Sequence, residues 1–160
     1  MKRFLASGFG VGLVWQNIFG NKKGGGTFAP LIFTVLVYFL NLNLLELSIV
    51  FVLLLLIYFY SVEDYYADED PSWITLDEIV GMSLVSLASP SEMLPLIAGF
   101  LVFRASDILK QPKFVSQLED YPGKLGVLYD DLGAGLLGLL SATIVHLSLI
   151  HISEPTRRCT

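Results

Sequence analysis

Apolar residues dominate this chain in long runs that polar residues interrupt at a few points. The longest run extends from Ala29 to Tyr60, and its interruptions lie near the middle, at Asn41, Asn43, Glu46 and Ser48. It exceeds the roughly 20 residues that one helical membrane crossing needs, but is too short for two full crossings and a turn. We therefore predict a helical hairpin, with a short helix from Ala29 to about Leu40 and a longer one from Leu44 to Tyr60. One long tilted helix is the alternative.

The second half of the chain alternates apolar segments with the polar residues typical of helix ends. After an acidic stretch, Trp73–Ala88 and Met93–Leu109 are each predicted as helices, and the second ends before Pro112 because proline cannot continue it. Phe114–Lys124 is predicted as a loop, and Leu132–His146 as the start of a last apolar helix. The pattern predicts an all-α fold: a small multi-helical membrane protein with several apolar helices around a carboxylate site.

The composition agrees with a membrane protein. Hydrophobic residues make up 54% of the 160 residues and charged residues only 16%, well below the roughly 25% of a typical soluble domain. The net charge of −5 gives no electrostatic support for binding nucleic acid. The single cysteine, Cys159, excludes an internal disulfide. Positive charge precedes the first apolar run and predicts that this end faces the cytoplasm; the residues are Lys2, Arg3, Lys22 and Lys23.

Residues 147–160 differ in character from the rest. The sequence LSLIHISEPTR, from Leu147 to Arg157, resembles a translated sequencing-library adapter. We therefore expect residues 147–160 to be a non-native tail and residues 1–146 to be a domain truncated at its C-terminal end. A genuine polar tail is the alternative. Every candidate site residue precedes this segment.

Three carboxylate-bearing motifs lie among the apolar segments: Asp77-Glu78, Arg104 to Lys110 with Asp107 between them, and Asp130-Asp131. Carboxylates in strongly hydrophobic sequence are energetically costly unless something neutralises them. A divalent cation and a phosphate group, with Arg104 and Lys110 nearby, would balance both signs of charge. Oxygen ligands suit a hard ion such as Mg²⁺ better than Zn²⁺.

Each motif alone also has an ordinary structural explanation. Arg104 and Asp107 share a helix face, and with Lys110 they could form an ion pair at a helix end. Asp77-Glu78 suits the first turn of a helix, where acids are favoured, and Asp130-Asp131 could cap the last helix. Three separate explanations of this kind are less economical than one shared site.

Taken in order, these motifs resemble those of the phosphatidylglycerophosphatase A family. The resemblance covers about residues 5–146 and rests on four stretches: Gly24–Pro30, Asp68–Gly81, Phe103–Pro112 and Gly123–Gly135. The first stretch, GGGTFAP, matches the family's Pro-Gly-Thr-x-Gly-Ser sequence loosely. Ser106 stands where the family usually has Phe, Gln111 interrupts its Lys-Pro pair, and Lys124 replaces the second glycine of the fourth stretch.

The resemblance implies a small helical bacterial enzyme of the inner membrane with its site on the cytoplasmic side. It implies hydrolysis of phosphatidylglycerophosphate, an anionic phospholipid, to phosphatidylglycerol and phosphate, with Mg²⁺ as the cofactor. It leaves the oligomeric state open.

We assign these residues candidate roles in a mechanism in which a metal-activated water attacks the substrate phosphate. A mechanism through a covalent aspartyl-phosphate is the alternative. The proposed catalytic residues are Asp77, Glu78, Asp107 and Asp131. The proposed metal ligands are Asp77, Glu78, Asp107, Asp130 and Asp131. The proposed contacts to the substrate phosphate are Arg104, Lys110 and Thr27.

Two other functions compete with this hypothesis. An alcohol phosphatidyltransferase also uses aspartates in the membrane and a divalent ion, but its DGxxAR…GxxxDxxxD pattern does not occur in this sequence. A non-enzymatic membrane subunit or transporter could bury the same charges as ion pairs. Carboxylates scattered over separate helix faces would favour the subunit or transporter, and convergent carboxylates would favour an enzyme.

Overall fold

The computed structural model describes residues 1–20, 24–64, 71–89 and 92–153. Helices are the regular structure found throughout these ranges, which confirms the all-α prediction. In chain order the helices are α1 Lys2–Ala6, α2 Val11–Phe19, α3 Gly25–Leu40, α4 Leu44–Ser61, α5 Leu76–Ser86, α6 Met93–Leu109, α7 Lys113–Glu119 and α8 Lys124–Ser153. The described residues do not include Lys22 and Lys23, residues 65–70 of the acidic stretch before α5, or residues 154–160.

The predicted division of the apolar run into two helices is confirmed, and the polar residues between α3 and α4 form the turn. Helix α3 begins at Gly25, earlier than the predicted Ala29, and both helices pack against α5 and not along each other. Asn41 ends α3 in the left-handed conformation, with φ of 50°, which asparagine tolerates better than most residues. Asn43 then caps α4: its side chain accepts from the Glu46 N–H at 3.0 Å, and the Glu46 carboxylate accepts from the Asn43 N–H at 2.8 Å. This reciprocal capping box fixes the start of α4. The alternative of one long helix is wrong.

The other helix boundaries were predicted with mixed success. Helix α6 has the predicted bounds, while α5 is shorter than predicted at both ends. The predicted loop at residues 114–124 is wrong, because α7 occupies most of it. The predicted start of the last helix at Leu132 is also wrong, because α8 begins at Lys124. Polar residues in the first two turns of α8 interrupt the apolar pattern, and the helix was therefore predicted to begin too late.

The early start of α8 changes the environment of its two acids. Asp130 and Asp131 lie within the helix, beyond its first turn, and therefore cannot be its N-terminal caps. Both residues are 4% exposed. The capping explanation of Asp130-Asp131 is wrong.

Helices α5 and α8 cross closely because glycines face each other at the contact. A Cβ placed on Gly81 would lie 2.8 Å from the backbone oxygen of Asp131, and one on Gly135 would lie 2.8 Å from the backbone oxygen of Gly81. These distances are shorter than a normal carbon–oxygen contact, so the crossing requires residues without side chains. It brings the start of α5, with Asp77, next to the acidic turn of α8.

Within the described residues, two helices are long and apolar enough to cross a membrane, judged by length and composition. They are Leu44–Ser61 and Lys124–Ile152, and most of each apolar window is not buried inside the protein. The exposed side chains include Leu45, Leu56 and Ile144, each more than 60% exposed. Apolar surface of this extent is typical of a face that contacts lipid or a partner. The helices indicate membrane association.

Tyr58 joins α4 to the first residue of α8. Its side chain is fully buried, and its hydroxyl donates to the Lys124 carbonyl at 2.7 Å. We expect Tyr58→Phe to lower the free energy of unfolding by about 1 kcal/mol, since the Lys124 carbonyl loses a hydrogen-bond partner. Tyr60→Phe is the matched control, because Tyr60 is 60% exposed. Thermal unfolding in detergent, followed by circular dichroism, measures both; equal shifts in the two variants would refute the role of the buried hydroxyl.

Candidate active site

A cavity of about 730 Å³ lies where the start of α3, the start of α5, the end of α6 and the acidic turn of α8 meet. Every candidate site residue from the sequence lines its wall: Thr27, Asp77, Glu78, Arg104, Asp107, Lys110, Asp130 and Asp131. Four helices distant in sequence thus present these side chains to one space. The carboxylates converge instead of scattering over separate faces, which favours an enzyme over a subunit with dispersed ion pairs.

Three of the acids form a group that we call the carboxylate triad: Asp77, Glu78 and Asp131. One oxygen from each lies within 4.8 Å of the others. Asp77 and Glu78 are adjacent in the first turn of α5, and Asp131 comes from α8. Adjacent side chains on a helix point about 100° apart, yet both face the cavity because it extends around the end of α5.

The remaining two acids are held in ion pairs. Arg104 Nη1 lies 2.6 Å from Asp107 Oδ2, and Lys110 Nζ lies 3.7 Å from Asp107 Oδ1. Lys110 also forms an ion pair with Asp130 Oδ2. Asp107 and Asp130 therefore line the same cavity as the triad, but each already has a cationic partner. Sequence spacing alone predicted the Arg104–Asp107 pair and not the Lys110–Asp130 pair.

Arg104 also connects the acids to the start of α3. Its Nη2 donates to Thr27 Oγ1 at 3.2 Å. Gly26 precedes Thr27, and a Cβ on Gly26 would overlap the carboxylate of Glu78. Glycine at this position is what lets α3 approach the triad so closely. Gly26 was not among the predicted site residues, although the glycine run before Thr27 was the available signal.

The triad carries negative charge that its surroundings do not balance. Within the described residues, Asp77 Oδ1, Glu78 Oε2 and Asp131 Oδ1 are buried and have no hydrogen-bond partner. Burial raises the pKa of Asp77, and burial together with the charge of Asp77 raises the pKa of Glu78 well above its ordinary value. A cation among these oxygens would offset both effects. The oxygen-only set fits a hard divalent ion such as Mg²⁺.

The comparison with protein families agrees with the motifs. The family model for phosphatidylglycerophosphatase A matches residues 4–146. The chain belongs to the phosphatidylglycerophosphatase A family. The match includes every residue of the cavity wall named above, and membership confirms the resemblance found in the sequence. It argues against an alcohol phosphatidyltransferase.

A similar protein comes from Bacteroides thetaiotaomicron and is named "Putative phosphatidylinositol-3-phosphatase". It is 39% identical to this phosphatidylglycerophosphatase A family member over 75 residues, which cover 45% of this chain and 46% of the relative. The matched part is thus less than half of the length of the relative. No solved structure matches the chain.

Proposed function

We propose that this protein is a Mg²⁺-dependent phosphatase that hydrolyses phosphatidylglycerophosphate to phosphatidylglycerol and inorganic phosphate. The observation that carries the proposal is the buried carboxylate triad, with oxygens that lack partners, beside Arg104 in one cavity. Carboxylates alone would repel a phosphate, but a cation among them together with a guanidinium would attract it. Family membership supports the phosphatase chemistry and the choice of lipid.

The triad residues Asp77, Glu78 and Asp131 are the proposed ligands of the ion. When bound, Mg²⁺ supplies positive charge that polarises the phosphoryl group and makes a nearby water more acidic. A triad carboxylate close to that water would accept its proton as the water attacks phosphorus. The bond between phosphorus and the glycerol oxygen breaks, and that oxygen takes up a proton to leave as the hydroxyl of phosphatidylglycerol. The alternative is attack by an aspartate, giving an aspartyl-phosphate that water then hydrolyses.

Arg104 and Thr27 are the proposed contacts to the phosphoryl oxygens. Because Arg104 donates to Thr27 Oγ1, the threonine hydroxyl proton is available for an oxygen of the substrate. Asp107 positions Arg104 through their ion pair. Lys110 adds positive charge to the same wall, and Asp130 positions Lys110. We therefore assign Asp107 and Asp130 to positioning these cations, a narrower role than the direct metal binding predicted from sequence.

The cavity and the helix surfaces support a lipid headgroup as the substrate. A volume of about 730 Å³ exceeds what one phosphate fills, and apolar side chains such as Ile108 and Val127 line part of the wall. The exposed apolar faces of α4 and α8 would keep the cavity at a bilayer. We place the protein in the bacterial inner membrane with the cavity on the cytoplasmic side, on the basis of the positive charge near its start.

We also propose that residues 147–160 do not belong to the phosphatase domain. The family match ends at residue 146, where the adapter-like sequence begins. Helix α8 continues to Ser153, and His151 and Ile152 near its end are exposed. Resequencing the gene from intact DNA tests this: a native reading frame that encodes the same residues 147–160 would overturn it.

The proposed function is tested by phosphate release from lipids in mixed micelles. We expect phosphatidylglycerophosphate to be hydrolysed faster than phosphatidylinositol 3-phosphate or phosphatidic acid. Chelation with EDTA should lower the rate on the order of a hundredfold or more, because a catalytic ion contributes several kcal/mol, and added Mg²⁺ should restore it. An unchanged rate in EDTA would show that hydrolysis does not require a divalent ion. No release from any of the three lipids would overturn the phosphatase function.

A further inference from the structure

Lys110 occupies an unusual place in the cavity, between two acids on different helices. It follows the last residue of α6 with a left-handed backbone, φ of 51°, which turns the chain at that point. Its ammonium group lies 3.7 Å from Asp107 Oδ1 and forms an ion pair with Asp130 Oδ2. The Asp130 side chain is 6% exposed and that of Lys110 is 35% exposed. One ammonium group thus bridges two carboxylates in the way that a metal ion bridges its ligands.

The charges divide the cavity into two parts. Asp107 and Asp130 are two negative charges, and Arg104 and Lys110 are two positive charges in contact with them. This part is balanced without any ion. The triad has three carboxylates, and within the described chain each has a buried oxygen without a hydrogen-bond partner, as Asp130 has at its Oδ1. The excess of negative charge, and therefore the need for a divalent ion, lies with the triad.

The two parts line the same cavity. Asp130 and Asp131 are neighbours on α8, so each part contains one carboxylate from the same helical turn. Hydrolytic sites with two metal ions place the ions about 3.5–4 Å apart. Without Lys110, Asp107 and Asp130 would be two carboxylates next to the triad with only Arg104 to balance them. That arrangement would attract a second divalent ion.

We propose that the Lys110 ammonium takes the place of a second divalent cation between Asp107 and Asp130, and so limits this site to one divalent cation per chain. The inference rests on the proposed function, because it concerns the ion held by the triad. It makes Lys110 a positioning residue whose loss changes the number of bound ions. A lysine that only stabilised the end of α6 would not change that number.

The test is a titration of the full chain in detergent with Mn²⁺, a spectroscopic substitute for Mg²⁺. Electron paramagnetic resonance of the free ion gives the number bound per chain. We expect one for the native protein, two for Lys110→Met and one for Lys110→Arg, which keeps the charge. Lys113→Met is the matched control on α7, where the side chain is exposed, and should bind one. Lys110→Met combined with Asp130→Asn should return to one.

The outcomes separate this inference from the proposed function. Two ions in the native protein, or one in a folded Lys110→Met, would overturn the inference but not the proposed phosphatase function. If Lys110→Met does not fold, the native count and Lys110→Arg still decide, since two ions in either contradicts it. No bound ion in the native protein would overturn both the inference and the metal requirement. One bound ion without release of phosphate from lipid would overturn the function alone.

Discussion

Asp77→Asn and Asp131→Asn should each lower the rate of phosphate release by roughly a thousandfold or more, equivalent to about 4 kcal/mol in the barrier. Each substitution keeps the size of the side chain and replaces a charged oxygen with an amide group. A neutral amide is a poorer ligand for Mg²⁺ and cannot accept the proton of an attacking water. Both side chains are almost fully buried, so solvent cannot replace the lost charge.

Binding and stability measurements separate this effect from unfolding. Mg²⁺ should raise the midpoint of thermal unfolding of the native protein, because an ion that binds only the folded state stabilises it. The rise should be lost in both variants. Without Mg²⁺ neither variant should be less stable than the native protein, since each removes the charge of a buried carboxylate that has one oxygen without a hydrogen-bond partner.

The control for these variants is Asp120→Asn, an exposed aspartate between α7 and α8. It should retain the native rate and the native response to Mg²⁺. Rates near the native value in both Asp77→Asn and Asp131→Asn would exclude the triad from the mechanism.

Local sequence signals predicted much of the fold. Asn41 and Asn43 interrupt a continuous apolar run, and the structure uses both to end one helix and begin the next. The bounds of α6 followed from its apolar run and Pro112. The start of α8 could not be predicted in this way, because its first turns carry polar residues that point into a cavity. Their polarity reflects the site and not the end of a helix.

The sequence predicted which residues form the site, but not how they are arranged relative to one another. Motif order identified the residues of the cavity wall, since the start of α3, the start of α5, the end of α6 and the second turn of α8 carry the motifs and meet there. The division into a triad and two ion-paired acids depends on how α5, α6 and α8 cross. Spacing within one helix places Arg104 beside Asp107, but it contains no information about the distance from Lys110 to Asp130. The contact of Gly26 with Glu78 likewise exists only in three dimensions.

The glycine crossing of α5 and α8 gives a second prediction that joins the fold to the chemistry. Gly135→Ala would place a methyl group 2.8 Å from the backbone oxygen of Gly81. A backbone atom cannot rotate away as a side chain can, so the helices must move apart by several tenths of an ångström. Asp131 precedes Gly135 by one helical turn, as Asp77 precedes Gly81, and both carboxylates would move with their helices. The triad would widen.

We expect Gly135→Ala to lower the rate of phosphate release by about ten- to a hundredfold, because displacements well below 1 Å are costly in a positioned site. Overpacking should also lower the free energy of unfolding by about 1–3 kcal/mol. The matched control is Gly133→Ala on the same helix, whose added methyl would meet Leu118 Cδ1 at 2.7 Å, the movable end of a side chain. It should keep the rate within about twofold, since Leu118 can adopt another rotamer.

Kinetics as a function of Mg²⁺ concentration show whether the rate falls for the proposed reason. A widened triad should bind the ion more weakly, so Gly135→Ala should need more Mg²⁺ for half-maximal activity, and saturating Mg²⁺ should recover part of the rate. Gly133→Ala should have the native Mg²⁺ dependence. If Gly135→Ala loses stability but keeps both the native rate and the native Mg²⁺ dependence, then the crossing of α5 and α8 does not set the distance between Asp77 and Asp131.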